Sequence, residues 1–142
     1  MKRVLLGAAA AVAAAATAVV VPTVAGATGG TKPTTEIIIN DKADYDTFGT
    51  QLDLGGQVKC TGTLNQGAIS ASVSQAPPET PYPVTLSTGD SLVVCDGKWH
   101  SFALTIIGAG YDAGRANATV TVVPVAGSPM KKTTKCITIV NV

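Results

Sequence analysis

From residue 36 onward the apolar side chains of this 142-residue chain recur at every second position, and no window carries a 3.6-residue apolar stripe with helix caps. A period of two puts alternate side chains on opposite faces of a pleated strand, so the chain is expected to be all-β. The clearest instance is 68–75, where Ile69, Ala71 and Val73 share one face while Ser70, Ser72 and Ser74 share the other. Phe102, Leu104 and Ile106 repeat the pattern, as do Ala116, Ala118, Val120 and Val122 with Asn117, Thr119 and Thr121 between them. Shorter runs rich in Val, Ile or Thr at 36–40, 57–63, 91–95 and 136–142 bring the expectation to about seven strands.

Turn residues fall between these runs: Gly55-Gly56, Pro77-Pro78, Gly89-Asp90, Asp96-Gly97, and the segments 108–110 and 127–129. Asp96-Gly97, flanked by Val93-Val94-Cys95 and Trp99, predicts a hairpin turn, because Gly tolerates the positive φ such turns need. About seven short strands in roughly 115 residues fit an immunoglobulin-like two-sheet sandwich over 36–142 better than a closed barrel. A domain of that size buries close to two-thirds of its surface, enough for a core without a metal.

The first 27 residues differ from the rest: Lys2 and Arg3, an apolar run over 4–21 built largely of Ala, then Pro22 and Ala25-Gly26-Ala27. They read as a signal peptide, 1–27, cleaved after Ala27, with 28–35 as a flexible leader of Gly, Thr, Lys and Pro. The run also reaches the ~18 residues of a retained membrane anchor, against which its Ala content argues. The mature chain is therefore expected outside the cell and free of the membrane.

Ten basic and nine acidic side chains give a formal charge of +1, and removal of Lys2 and Arg3 leaves eight against nine, a net of −1. A charged fraction of 13%, about half the usual quarter, excludes a highly charged disordered chain. Nor does the balance supply the basic footprint that nucleic acid requires.

Export exposes the three cysteines to an oxidising compartment, where one bridge leaves one thiol over. Cys60 shares a face with Val58, and Cys95 with Val93, so both can point inward; their bridge would stabilise by about 4 kcal/mol. Spacing alone leaves the other pairings open. Cys136, on the face opposite Ile137 and Ile139, is the expected odd thiol, buried in an outer strand or available for a covalent dimer. Trp99 is expected to pack over the sheet near the bridge, the competing role being an exposed platform for a sugar ring. Tyr111 has the placement of a tyrosine corner, its hydroxyl bonded to nearby backbone.

Catalytic sets are sparse. The single histidine, His100, cannot make a histidine metal site, and its neighbour Cys95 offers no thiolate if bridged. Asp41, Asp44, Asp46 and Asp53 form an acidic cluster that reads as a solvated turn; as a calcium loop it lacks the Gly and the terminal Glu of an EF-hand. Lys131, Lys132 and Lys135 read as a soluble turn and edge protection. No cofactor or metal is implied, and the chain is not expected to be an enzyme.

The segments Gly55-Gly56-Gln57-Val58-Lys59-Cys60-Thr61-Gly62, Ile69-Ser70-Ala71-Ser72-Val73-Ser74-Gln75, Val93-Val94-Cys95-Asp96-Gly97 and Ala113-Gly114-Arg115-Ala116 resemble a loose group of small exported actinobacterial proteins. The resemblance implies an immunoglobulin-like sandwich with Cys60 joined to Cys95, and no established activity. Cys136 departs from that two-cysteine pattern. The expected role is thus a non-catalytic secreted module with a binding or structural function at the cell envelope or in the medium, meeting an extracellular protein or a cell-wall glycan. The stiff segment carrying Pro77, Pro78, Pro81, Tyr82 and Pro83 is the candidate partner-binding loop. The competing role is a secreted inhibitor or effector that inserts the same loop.

Overall fold

Seven strands and no helix form among the described residues, 32–48 and 50–142, of the computed structural model. The expected signal peptide lies outside them, as does the first half of the expected leader, 28–31. The strands are β1 (Glu36–Ile39), β2 (Lys42–Asp46), β3 (Gln51–Gln75), β4 (Val84–Ser87), β5 (Ser91–Ile107), β6 (Gly114–Pro124) and β7 (Lys131–Asn141). They hydrogen-bond into one mixed sheet. Within it β2 and β7 pair in parallel and every other ladder is antiparallel.

The organising feature is a long two-stranded ribbon. β3 runs against β5, 51–59 opposite 99–107 and 66–69 opposite 91–94, while 72–75 of β3 pairs with β4. Residues 62–65 have no partner on β5, a bulge in which Leu64 and Asn65 take φ of 56° and 57°. Bulges bend the strand that carries them. On its other edge β3 pairs with β1 and β2 before this point and with β6 after it. Because β2 also pairs with β7, and β7 with β6, the hydrogen-bonded path β3–β2–β7–β6–β3 closes on itself.

The core comprises the inward residues that the alternation selects. Leu52, Leu54, Val58 and Cys60 of β3 face Ile69, Ala71 and Val73 of the same strand beyond the bulge, with Val120, Val122, Ile137 and Ile139 completing the interior. Gly56 occupies an inward position beneath β1, where a Cβ would run into the Ile38 carbonyl oxygen, and the Phe102 ring covers the space. Gly55-Gly56 is therefore strand, not the turn its composition suggests. Residues Pro33–Val142 form one compact unit. Thr35, the last residue of the expected leader, is buried; its hydroxyl lies 2.8 Å from that of Ser128, which also accepts the Thr61 amide at 3.0 Å.

The expected number of strands matches, but the partition differs. Asp96-Gly97 does not close a hairpin: β5 runs straight through it, and Gly97 uses its φ of 87° opposite the β3 bulge. The acidic segment after Asn40 is strand β2, whose Ala43 and Tyr45 point inward while Lys42 and Asp44 point out. Likewise the end of the proline-rich segment forms β4 against β3.

Candidate functional site

The proline-rich segment connects β3 to β4 and is held from beneath. Gln75 is 2% exposed; its side-chain amide donates to the carbonyls of Asp112 (2.8 Å) and Arg115 (3.2 Å), and its side-chain oxygen accepts the Asp112 amide at 2.9 Å. This clamps the start of the loop to the connection leading into β6. Further on, the Glu79 amide donates to the Ala76 carbonyl at 3.1 Å, and the Glu79 carboxylate lies 3.5 Å from the Arg115 guanidinium. Thr80 is buried and its hydroxyl donates to the Tyr82 carbonyl at 2.6 Å.

The visible part of the loop is what these anchors leave outside. Pro77, Pro78, Pro81 and Pro83 are exposed, and Tyr82 is 80% exposed. Pro77, Pro78 and Pro83 line a shallow groove of about 330 Å³ together with Gln75, Arg115 and Cys136; Pro81 and Tyr82 stand outside it. An exposed phenol on a tethered, proline-stiffened segment offers contact area at small entropic cost, a property of many protein-binding loops.

Cys60 and Cys95 form a disulfide, both fully buried, with Cα atoms 4.5 Å apart. It joins β3 to β5 beside the bulge, where both long strands depart from regular pairing. Cys136 is a free thiol, exposed on β7 opposite Asn117 of β6; of the two fates expected for it, burial does not occur.

The remaining sequence candidates separate. Trp99 is 40% exposed on the outer face of β5 with the Lys59 ammonium 6.0 Å from its ring centroid, so it does not pack into the core as expected. The parity explains this: Trp99 follows the inward Cys95 by four residues, but the Asp96-Gly97 irregularity shifts the alternation, so His100 and Phe102 face inward instead. The acidic residues disperse as well. Asp41 lies 2.5 Å from the Lys135 ammonium, whose hydrogen bond and charge hold the Asp41 carboxyl below its usual range. Asp46 accepts the Phe48 amide at 2.9 Å, and Asp53 accepts the Thr105 hydroxyl at 2.6 Å. No group of three metal-ligating side chains forms among the described residues.

His100 lies 2.8 Å from the Asp96 carboxylate. That hydrogen bond, together with the Lys98 backbone amide, holds the Asp96 carboxyl below its usual range. The sulfur of Cys95 is committed to the disulfide, so no thiol stands with this pair.

Tyr111 is 4% exposed and donates its hydroxyl to the Val73 carbonyl at 2.7 Å. Burial pushes its phenol up to about 12. The bond reaches 38 residues back to β3, rather than to the nearby backbone that a tyrosine corner uses.

The Gln75 clamp is the element that sequence reasoning missed. Its signal is faint: an amide side chain at the end of an alternating run, in phase with Ile69, Ala71 and Val73 and so destined for the inner face. No protein-family model matches the chain, and no curated protein matches it.

Proposed function

We propose that this chain is a secreted, non-catalytic module of immunoglobulin-like type that binds an extracellular protein or a cell-wall glycan through the loop centred on Tyr82. One observation carries the reading: Tyr82 is 80% exposed on a segment whose neighbours Gln75 and Thr80 are 2% exposed and hydrogen-bonded. A large aromatic is left in water while its support is fixed, which is the economy of a contact residue rather than of a connector.

Several features support the wider frame. A buried disulfide is compatible with the oxidising space that the Lys2-Arg3 and Ala25-Gly26-Ala27 pattern addresses. The bulge at 62–65 puts the two parts of β3 in different ladders, 51–59 with β1, β2 and β5 and 67–74 with β6, an arrangement that suits two layers. The only histidine is paired with a carboxylate, and the sulfur nearest to it in sequence is bridged, which favours binding over catalysis.

The test compares the wild type with Tyr82→Ala for retention on insoluble cell-wall polysaccharide and for stoichiometric inhibition of a panel of extracellular proteases. Retention that Tyr82→Ala abolishes supports the module. Inhibition that it abolishes supports the competing inhibitor role of the same rigid loop. Binding in either assay that survives the substitution removes the loop from the function. A mass spectrum of the exported protein that begins at Thr28 supports cleavage after Ala27.

A further inference from the structure

Strand edges without a ladder partner are protected over most of this fold. β1 and β4 are four residues each, too short to template much. On β7 the stretch 131–137 pairs only with β6; Lys131 and Lys132 put charges on it that discourage a second strand, and the Lys135 ammonium bridges to Asp41 and the Ile39 carbonyl. β5 is different. Over 99–107 it pairs with β3 on one edge in unbroken register, and with nothing on the other edge among the described residues. Those nine positions contain no proline, lysine, arginine or carboxylate, and no bulge. The one titratable group there, His100, has its ring against Asp96 of its own chain.

We propose that β5 is a dimerisation edge, pairing antiparallel over 99–107 with the same edge of a second copy about a two-fold axis at Ala103. The sequence is self-complementary in that register. Trp99 and Ile107, 40% and 63% exposed, lie four positions either side of Ala103 and become cross-strand neighbours across the interface. On the same outer face Ser101 meets Thr105, and on the inner face Phe102 meets Leu104 and His100 meets Ile106. Within 99–107 no like charges are brought together, and each large exposed apolar side chain is matched with another; the nearest carboxylate beside this edge is Asp90 of the β4–β5 connection, which shares a hollow with Ala103 and Thr105. A second copy is the occupant this pattern favours, because a two-fold axis at Ala103 pairs the two exposed apolar side chains, Trp99 and Ile107, and the two hydroxyl side chains, Ser101 and Thr105, with each other. The surface is separate from the Tyr82 loop, so the two proposals stand or fall independently.

The experiment measures molar mass by light scattering and sedimentation equilibrium over a range of concentrations, in a Cys136→Ser background that removes the exposed thiol. The expected result is a concentration-dependent mass approaching twice that of the monomer. Ala103→Lys, at an exposed outward position, sets two ammonium groups face to face on the axis and should return the mass to that of the monomer, with an unchanged circular dichroism spectrum; Ala103→Ser should remain dimeric. Should Ala103→Lys fail to fold, Thr105→Lys serves the same purpose. Ala103→Cys in the same background should form an interchain bond between the two copies of residue 103 under mild oxidation. A monomeric mass at every concentration, a dimer that both lysine variants leave intact, or absence of the residue-103 crosslink in a dimeric sample would each overturn the proposal.

Discussion

The Tyr111 hydroxyl donates to the Val73 carbonyl at 2.7 Å, tying the segment before β6 to the second part of β3 inside the core. Tyr45 packs edge-on against the same ring, with centroids 5.7 Å apart. Tyr111→Phe keeps the ring but leaves the buried carbonyl without this partner, and should cost about 1–2 kcal/mol in denaturant unfolding. The phenol has a second consequence. Its folded value of about 12 lies above the ordinary 10.0, so its contribution is complete below pH 10 and is lost as pH rises from 10 toward 12. With the side chain 4% exposed, that loss is of order 2 kcal/mol. Stability measured against pH should fall in this window for the wild type and fall by that much less for Tyr111→Phe.

Reduction of the Cys60–Cys95 bridge, or its replacement by a pair of serines, releases a loop closed over a separation of 35 residues and should destabilise by about 4 kcal/mol in the chain-entropy account. Cys136→Ser removes an exposed sulfur and should alter stability by less than about 0.5 kcal/mol. Thermal melting of the two variants beside the wild type checks both. Equal losses would mean that Cys136 carries a structural role its exposure does not suggest.

Alternation revealed most of the strands because it reports burial directly: Ile69, Ala71, Val73, Val120 and Val122 are inward where period two puts them. It failed where polar residues supplied the outward half of the pattern so densely that the inward half was hidden. β2, Lys-Ala-Asp-Tyr-Asp, has two inward side chains and read as an acidic loop. Turn signals misled for a different reason. Gly56 and Gly97 provide a close approach and a positive φ, requirements that a strand crossing or a bulge shares with a hairpin turn. The proline-rich loop was legible from its prolines, whereas its clamp was not, since hydrogen bonds from Gln75 to Asp112 and Arg115 span 37 and 40 residues and leave no local trace.

Asp96 should titrate below the ordinary carboxylate value of 3.8, held there first by the hydrogen bond to His100 and then by the Lys98 amide. Since the folded value is depressed, the pair contributes above pH 3.8 and is lost as pH falls through the folded value. Carboxyl carbon shifts followed by NMR should place the Asp96 midpoint below that of a model peptide, and His100→Ala should move it upward. A midpoint indifferent to residue 100 would mean that the contact at 2.8 Å carries no weight in solution.

Gln75 joins fold to site, because one buried amide satisfies backbone groups of Asp112 and Arg115 while fixing the last residue of β3 from which the proline-rich loop departs. Gln75→Leu preserves the volume approximately but strips the Asp112 amide and two carbonyls of their partners. Part of that loss can be relieved by water, since the Asp112 side of the contact lies near the surface; a destabilisation of about 2–3 kcal/mol is expected. Hydrogen exchange at the Asp112 amide should accelerate in Gln75→Leu while amides in the middle of β6, such as Val120, change only by the global loss. Any partner bound through Tyr82 should dissociate faster from this variant, because the aromatic is retained but its position is no longer fixed. Unaltered exchange at Asp112 with the same global stability would show that the clamp does not order the loop.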